Sequence, residues 1–425
     1  ARMKELITAV VFLRYLVGQD MQPVVIIGSG LAGYNVAREL RKLDKETALV
    51  VITADGGEFY SKPTLSNALA SNKTPAAIPL NTPEQMAAQL NATVRTHRRV
   101  TAIETEAHQI RLGDERLPYS KLVLALGADQ IRVPITGNAV DAVLSVNGLD
   151  DYARFRTAIE GRKSVAVIGA GLIGCEFAND LAFAGYKVDV VDIAEQPLPR
   201  LLPRDGGTFL KEKLAALGIT WHLGTHVKAV DREPDAIKVT LANSETIMAD
   251  VVLSAVGLKP KLELARAAGL QVNRGIVVNR YLETSAPDVF ALGDCAEVEG
   301  LVLPFVMPIM HAARALAATL AGKRTTVSYP AMPVLVKTPA CPTIVAPPAM
   351  GAAGEWKIEQ GIDSVKSLFV DASGKLLGFA LNGAATSLFE EKKSGMFQRL
   401  LAAPVTRAQI LWSRFLFGIA LGLMQ

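Results

Sequence analysis

Two glycine-rich hexapeptides constrain this chain more than anything else in it. They are Gly28-Ser29-Gly30-Leu31-Ala32-Gly33 and Gly169-Ala170-Gly171-Leu172-Ile173-Gly174. Each follows a short apolar run, Pro23–Ile27 or Ser164–Ile168, and each opens a helical pattern, to about Lys42 and about Ala184. A second apolar strand comes next in both places, Ala48–Thr53 and Lys187–Val191. In such a strand–turn–helix the first glycine makes the tight turn and the second lets backbone approach a pyrophosphate. The third lets helix and strand pack closely, while the helix N-terminus offers free N–H groups and a favourable dipole to the anion. One such turn is a common structural device. Two copies of the same supersecondary grammar predict two related dinucleotide-binding units in one polypeptide.

The residue ending the second strand of each unit should read the adenosine ribose. Asp192 stands 23 positions after Gly169, close to the ~20-residue expectation. A carboxylate there accepts from the ribose 2′-OH and repels a 2′-phosphate, and Ile193-Ala194-Glu195 add no arginine. NADH is therefore expected over NADPH, the alternative being a solvated strand-end aspartate. In the first unit the strand ends Ile52-Thr53-Ala54-Asp55. The carboxylate of Asp55 arrives late, and it reads either as a ribose contact or as a simple turn residue.

At 425 residues the chain is long enough for two or three domains. Its net charge of +4 gives no basic tract and no sign of nucleic-acid binding. The three cysteines, Cys175, Cys295 and Cys341, lie far apart, with no C-x-x-C or C-x4-C pair among them. That argues against a secreted disulfide framework, fits a reducing cytoplasm, and leaves no dithiol to carry electrons. A bound cofactor must do so. His222 and His226 have a zinc-like spacing, but they flank Leu-Gly-Thr in a stretch of strand character, and no metal is expected.

Further elements follow. The segment 119–127 is a buried-type strand ending in Gly127, echoed by 249–257 ending in Gly257. Val289–Gly293 is another strand, capped by Asp294, and a helix is expected from about Met310 to Ala321. Short runs separated by turn signals over 333–385 suggest a small mixed or mainly β domain.

The segment Thr284-Ser-Ala-Pro-Asp-Val-Phe-Ala-Leu-Gly293-Asp294-Cys295-Ala296-Glu297, downstream of both glycine turns, carries a family resemblance. The chain resembles the pyridine-nucleotide-dependent flavoprotein reductases of the glutathione-reductase type. The resemblance implies that Asp294 reaches the flavin ribitol of FAD in the first site. It also implies that the strands ending at Gly127 and Gly257 cross between the nucleotide domains. Where the thiol-reducing members carry a redox cysteine pair, this chain reads Glu58-Phe-Tyr-Ser-Lys62-Pro63-Thr-Leu-Ser66. That segment looks like the Tyr-x-(Arg/Lys)-Pro-x-Leu-Ser of the ferredoxin-reductase-like branch.

Within that branch the chain is most similar to the NAD-dependent rubredoxin reductases, over about Met21 to Ser387. The runs that carry this are 171–181, 291–297, 269–278 and, most discriminating, Val336-Lys337-Thr-Pro-Ala-Cys-Pro342. The resemblance implies that Lys62 and Lys337 lie against the isoalloxazine, where a cation stabilises the anionic reduced forms. It implies that Glu176 pairs with Lys62 and contacts the nicotinamide amide. It further makes Arg132 and the backbone at Val100 contacts of the FAD adenosine diphosphate. Gly169, Gly171, Gly174, Asp192 and Gly257 then serve NADH, and Gly28, Gly30, Gly33, Asp55 and Asp294 serve FAD.

The expected fold is thus α/β, with two Rossmann-like dinucleotide-binding domains and a small α+β C-terminal domain. FAD binding is expected at 21–127 and 258–332, NAD binding at 128–257, and an interface domain at 333–387. The expected activity passes hydride from NADH to FAD and then single electrons to rubredoxin, an acidic iron-centre protein. Two alternatives stay open: the ferredoxin reductase component of a ring-hydroxylating dioxygenase, and a membrane-tethered flavin-binding accessory protein. Residues 1–20 are an extension of unknown role. The apolar tail 388–425 resembles a fragment of ATP-binding-cassette exporter permeases.

Overall fold

The computed structural model describes residues 22–386. The expectations for residues 1–20 and for the tail 388–425 lie outside the described residues. The described chain divides into two compact units, one of residues 22–197 and 217–334 and another of residues 198–216 and 335–386.

The first unit is built on two parallel sheets of five strands each. In one, β1 (Val24–Ile27) leads through α1 (Leu31–Leu43) to β2 (Leu49–Ile52) and on to β3 (Thr93–Arg95). β4 (Lys121–Leu124) pairs on the other side of β1, with Ile27 in register with both Ile52 and Leu124. After Gly127 the chain enters the short strand β5 (Ala128–Gln130), then β6 (Val143–Leu144) and α2 (Leu149–Ile159). The second sheet follows with β7 (Ser164–Ile168), α3 (Leu172–Phe183), β8 (Lys187–Asp192), β9 (Ile219–Leu223) and β10 (Val251–Ser254). Its order is β9-β8-β7-β10-β6.

The chain returns through β11 (Leu258–Pro260), which pairs antiparallel with β5. Ile131 N–H donates to Gly257 O at 3.0 Å and Lys261 N–H to Gly127 O at 3.1 Å. The two glycines, at φ +72° and +115°, turn the chain into this paired crossing. β12 (Val289–Ala291) completes the first sheet, in the order β12-β4-β1-β2-β3, and α4 (Val306–Leu320) covers it.

α4 starts four residues before its sequence pattern becomes visible at Met310. Pro308 lies in its first turn, where a missing N–H costs nothing because no carbonyl precedes it within the helix. Its apolar positions Ile309, Ala312, Ala313, Leu316 and Leu320 fall at helical spacing and join Ile26, Tyr34, Leu40 and Leu122 in one core.

In the second unit, helix Arg204–Ala215 accompanies an antiparallel sheet. Its strands β13 (Thr343–Ala346), β14 (Glu355–Gly361), β15 (Ser364–Val370) and β16 (Leu376–Gly383) run in the order β13-β16-β15-β14. A methyl on Gly206 would stand 2.9 Å from Asn382 Oδ1, and one on Gly383 would stand 3.1 Å from the Phe209 ring. The glycines let helix and strand approach that closely. Residues 198–216, expected within the second nucleotide-binding domain, thus cluster with the C-terminal sheet.

Candidate active site

The two glycine turns have matching geometry. Gly28 and Gly169 take φ +112° and +109°, and a Cβ on either would meet the carbonyl of Ala125 at 2.1 Å or of Ala255 at 2.7 Å. On Gly33 and Gly174 a Cβ would lie 1.8 and 1.9 Å from the carbonyl oxygen of the first glycine of the same turn. The middle glycines differ in kind: nothing lies within 4 Å of the Cβ position of Gly30 or Gly171. Each is the N-cap of its helix, with no side-chain cap and no acidic residue in the first turn. The N-terminal N–H groups of α1 and α3 are thus bare of protein acceptors and open where a pyrophosphate fits.

The carboxylates expected at the ribose positions brace these turns. Asp192 accepts from the N–H of Ala170 at 2.5 Å and of Ala194 at 2.8 Å. Asp55 accepts from Ser29 Oγ at 3.2 Å, Thr53 Oγ1 at 2.5 Å and the N–H of Gly57 at 3.1 Å. Ser29, not singled out in the sequence, ties that carboxylate to the first turn. Val100 is buried near the end of β2, where Arg98 N–H donates to Thr53 O. Arg132 follows Ile131 beside Gly257, is exposed, and joins no ion pair among the described residues.

A third element closes on the first turn. Gly293, at φ +81°, packs so tightly that its Cβ would lie 2.8 Å from Cβ of Ala32. Leu292 N–H donates to Leu124 O at 3.1 Å, fixing the turn at the end of β4. Asp294 is thereby delivered beside the N-terminus of α1. Burial pushes its carboxyl up, opposed by the charge of Lys62. Burial pulls Lys62 below the ordinary lysine range, opposed first by Asp294. A carboxylate and an ammonium therefore sense one another within one half-buried recess next to the first glycine turn.

The ammonium of Lys62 donates to Asn147 Oδ1 at 2.5 Å. Asn147 Nδ2 donates to Ala128 O at 2.8 Å and its N–H to Asp151 at 2.9 Å. Asn147 immediately precedes Gly148, the N-cap of α2. Glu176 is 3% exposed on α3 and accepts from Ser66 Oγ. One turn further along the same helix, Asp180 accepts the main-chain N–H groups of Leu69 at 2.8 Å and Ala70 at 2.9 Å. Asn147 and Asp180 were both missed in the sequence. Asp180 had a signal, a second carboxylate four residues after Glu176 on an otherwise apolar helix. Asn147 had none.

Lys337 belongs to the second unit. It follows the strand Val334–Val336 and opens a turn in which Thr338 and Cys341 exchange hydrogen bonds, both at 2.8 Å. All three cysteines are free and buried. His222 engages two carboxylates, Asp189 at 3.0 Å and Glu245 at 3.3 Å. Among the described residues no helix is long and apolar enough to cross a membrane.

Residues 22–318 match the family model of pyridine nucleotide-disulphide oxidoreductases, and residues 326–391 match a model described as a rubredoxin binding C-terminal domain. The rubredoxin-NAD(+) reductase of Alcanivorax borkumensis is 50% identical over 366 residues, covering 86% of this chain and 96% of that protein. The protein of the same name from Acinetobacter baylyi is 49% identical over 372 residues, 86% of this chain and 95% of its own. Among solved structures, the ferredoxin reductase for the CYP199A2 system of Rhodopseudomonas palustris superposes with a TM-score of 0.80. It is 28% identical, over 88% of this chain and 94% of its own.

Proposed function

The chain belongs to the pyridine nucleotide-disulphide oxidoreductase family, and from that premise we propose that it is an NADH-dependent rubredoxin reductase. The observation that carries the reading is the seating of Gly293-Asp294 against Ala32 in the first glycine turn, with Lys62 in electrostatic reach of Asp294. FAD supplies the conversion of a two-electron hydride into single electrons. The bare N-termini of α1 and α3 would each hold a pyrophosphate, and Asp294 would accept from a ribitol hydroxyl.

The protein's own part is positioning and electrostatics. Gly30 and Gly171 leave room for phosphate, and the α3 N-terminus with Asp192 orients NADH. Lys62 places a positive charge where negative charge accumulates on reduction, and a low-dielectric recess strengthens that interaction. Lys337 contributes a second such charge in this reading, and Glu176 meets the nicotinamide amide. Asp55 and Val100 hold the adenosine end of FAD, with Arg132 contributing to its diphosphate. FAD binding falls to 21–127 with 258–332, NADH binding to 128–257, and acceptor docking to 333–387. The acceptor is assigned from the C-terminal match and from the names of the two half-identical relatives. Three buried free thiols support a reducing, cytoplasmic setting.

The test is anaerobic stopped-flow on the FAD-loaded protein. NADH should bleach the flavin absorbance, and added rubredoxin should restore it. Unchanged reoxidation in the presence of rubredoxin rejects this acceptor, and faster recovery with a [2Fe–2S] ferredoxin instead favours the dioxygenase-component alternative.

A further inference from the structure

The segment 60–73 carries Lys62, yet most of its fixed contacts come from the helices of the NAD-binding sheet. Just before α2, Asn147 accepts from Lys62. Further along α2, Arg156 donates to Lys73 O at 2.8 Å. From α3, Glu176 accepts from Ser66, and Asp180 takes the N–H groups of Leu69 and Ala70, one on each oxygen. Asp180 is 4% exposed. A carboxylate so buried is costly unless its oxygens are bonded, and both of its hydrogen bonds come from this segment, with Arg156 the favourable charge nearby.

We infer that Asp180 is a positioning residue. By clamping the backbone at Leu69 and Ala70, it makes segment 60–73 part of the NADH-binding body and so fixes Lys62 at the flavin relative to the nicotinamide. The inference rests on the proposed FAD and NADH sites. Both hydrogen bonds of the Asp180 carboxylate go to main-chain N–H groups of this segment. It sits nine residues beyond Gly171, on the helix whose N-terminus takes the NADH pyrophosphate, so one rigid rod aligns the hydride donor and the lysine that supports its acceptor.

The experiment compares wild-type, Asp180→Ala and Asp180→Asn holoenzymes. Asp180→Ala removes both acceptors, while Asp180→Asn keeps one. FAD stoichiometry and the Kd for NADH should stay within about twofold. The rate of flavin reduction at saturating NADH should fall about ten- to a hundredfold, as expected when a reacting pair is misaligned. The two-electron flavin potential should become more negative, about 30 mV for each tenfold change in the reduction equilibrium. Asp180→Asn should recover part of both losses. A folded, FAD-loaded Asp180→Ala with wild-type rate and potential overturns the inference. So does loss of FAD by both variants, which would make the contact a fold contact. If instead the wild-type flavin is not bleached by NADH, it is the proposed function that fails.

Discussion

The Cβ that Gly293 lacks would lie 2.8 Å from the Cβ of Ala32, so the turn that delivers Asp294 is seated on the first glycine turn, far away in sequence. Gly293→Ala puts a methyl into that contact and forces a left-handed φ of +81° on an L-residue. The backbone alone costs about 1–2 kcal/mol. We expect FAD to dissociate at least tenfold more readily and the Tm of the apoprotein to fall. Fluorescence titration with FAD checks this, and wild-type affinity would refute it.

Asp192 should decide the choice of nicotinamide. Asp192→Ala removes the proposed acceptor for the 2′-OH and the brace on the Ala170 N–H. The kcat/KM for NADH should drop about tenfold or more, the scale of a lost charged hydrogen bond. NADPH should lose less, because the repulsion of its 2′-phosphate goes too. Equal losses for both nucleotides would contradict this role.

Lys62 should set an alkaline limit on flavin reduction. Its pKa is lowered by burial, so its proton leaves at a lower pH than from an ordinary lysine, near 10.4. As pH rises through the depressed pKa the recess loses its positive charge, and reduction should slow. Below that pKa the charge is fully present. Lys62→Arg, charged throughout this range, should abolish the alkaline limb, and Lys62→Met should lower the rate at every pH. A pH profile of single-turnover reduction that Lys62→Arg leaves unshifted counts against it.

No thiol should take part in turnover. Burial pushes the Cys295 thiol up to about 11 and raises Cys175 and Cys341 as well, which disfavours the reactive thiolate. The native holoprotein should resist iodoacetamide at these three positions and keep its NADH–rubredoxin activity, while the denatured chain is alkylated at all three. Rapid native labelling coupled to loss of activity would show otherwise.

Much of this protein was legible in its sequence because the relevant constraints are local. A strand–turn–helix of this kind needs glycines at fixed offsets, so Gly28, Gly30, Gly33, Gly169, Gly171 and Gly174 announce both turns. The strand-end Asp192 follows at a set distance, and Gly293-Asp294 was readable from its own short motif and the family it resembles. The α/β class followed from the same punctuation.

What only the tertiary structure decided is what holds Lys62. Lys62 meets Asn147 across 85 residues, and Asp180 reaches Leu69 across 111. Side-chain contacts at such separations leave no period and no spacing in the sequence. They exist only once two sheets, joined by the crossing strands after Gly127 and Gly257, have folded and brought α2 and α3 to the segment 60–73. Helix Arg204–Ala215 joining the C-terminal sheet has the same cause. A helix of this composition can be covered by any apolar face of suitable shape, and the glycines at Gly206 and Gly383 gain their meaning only where the two surfaces meet.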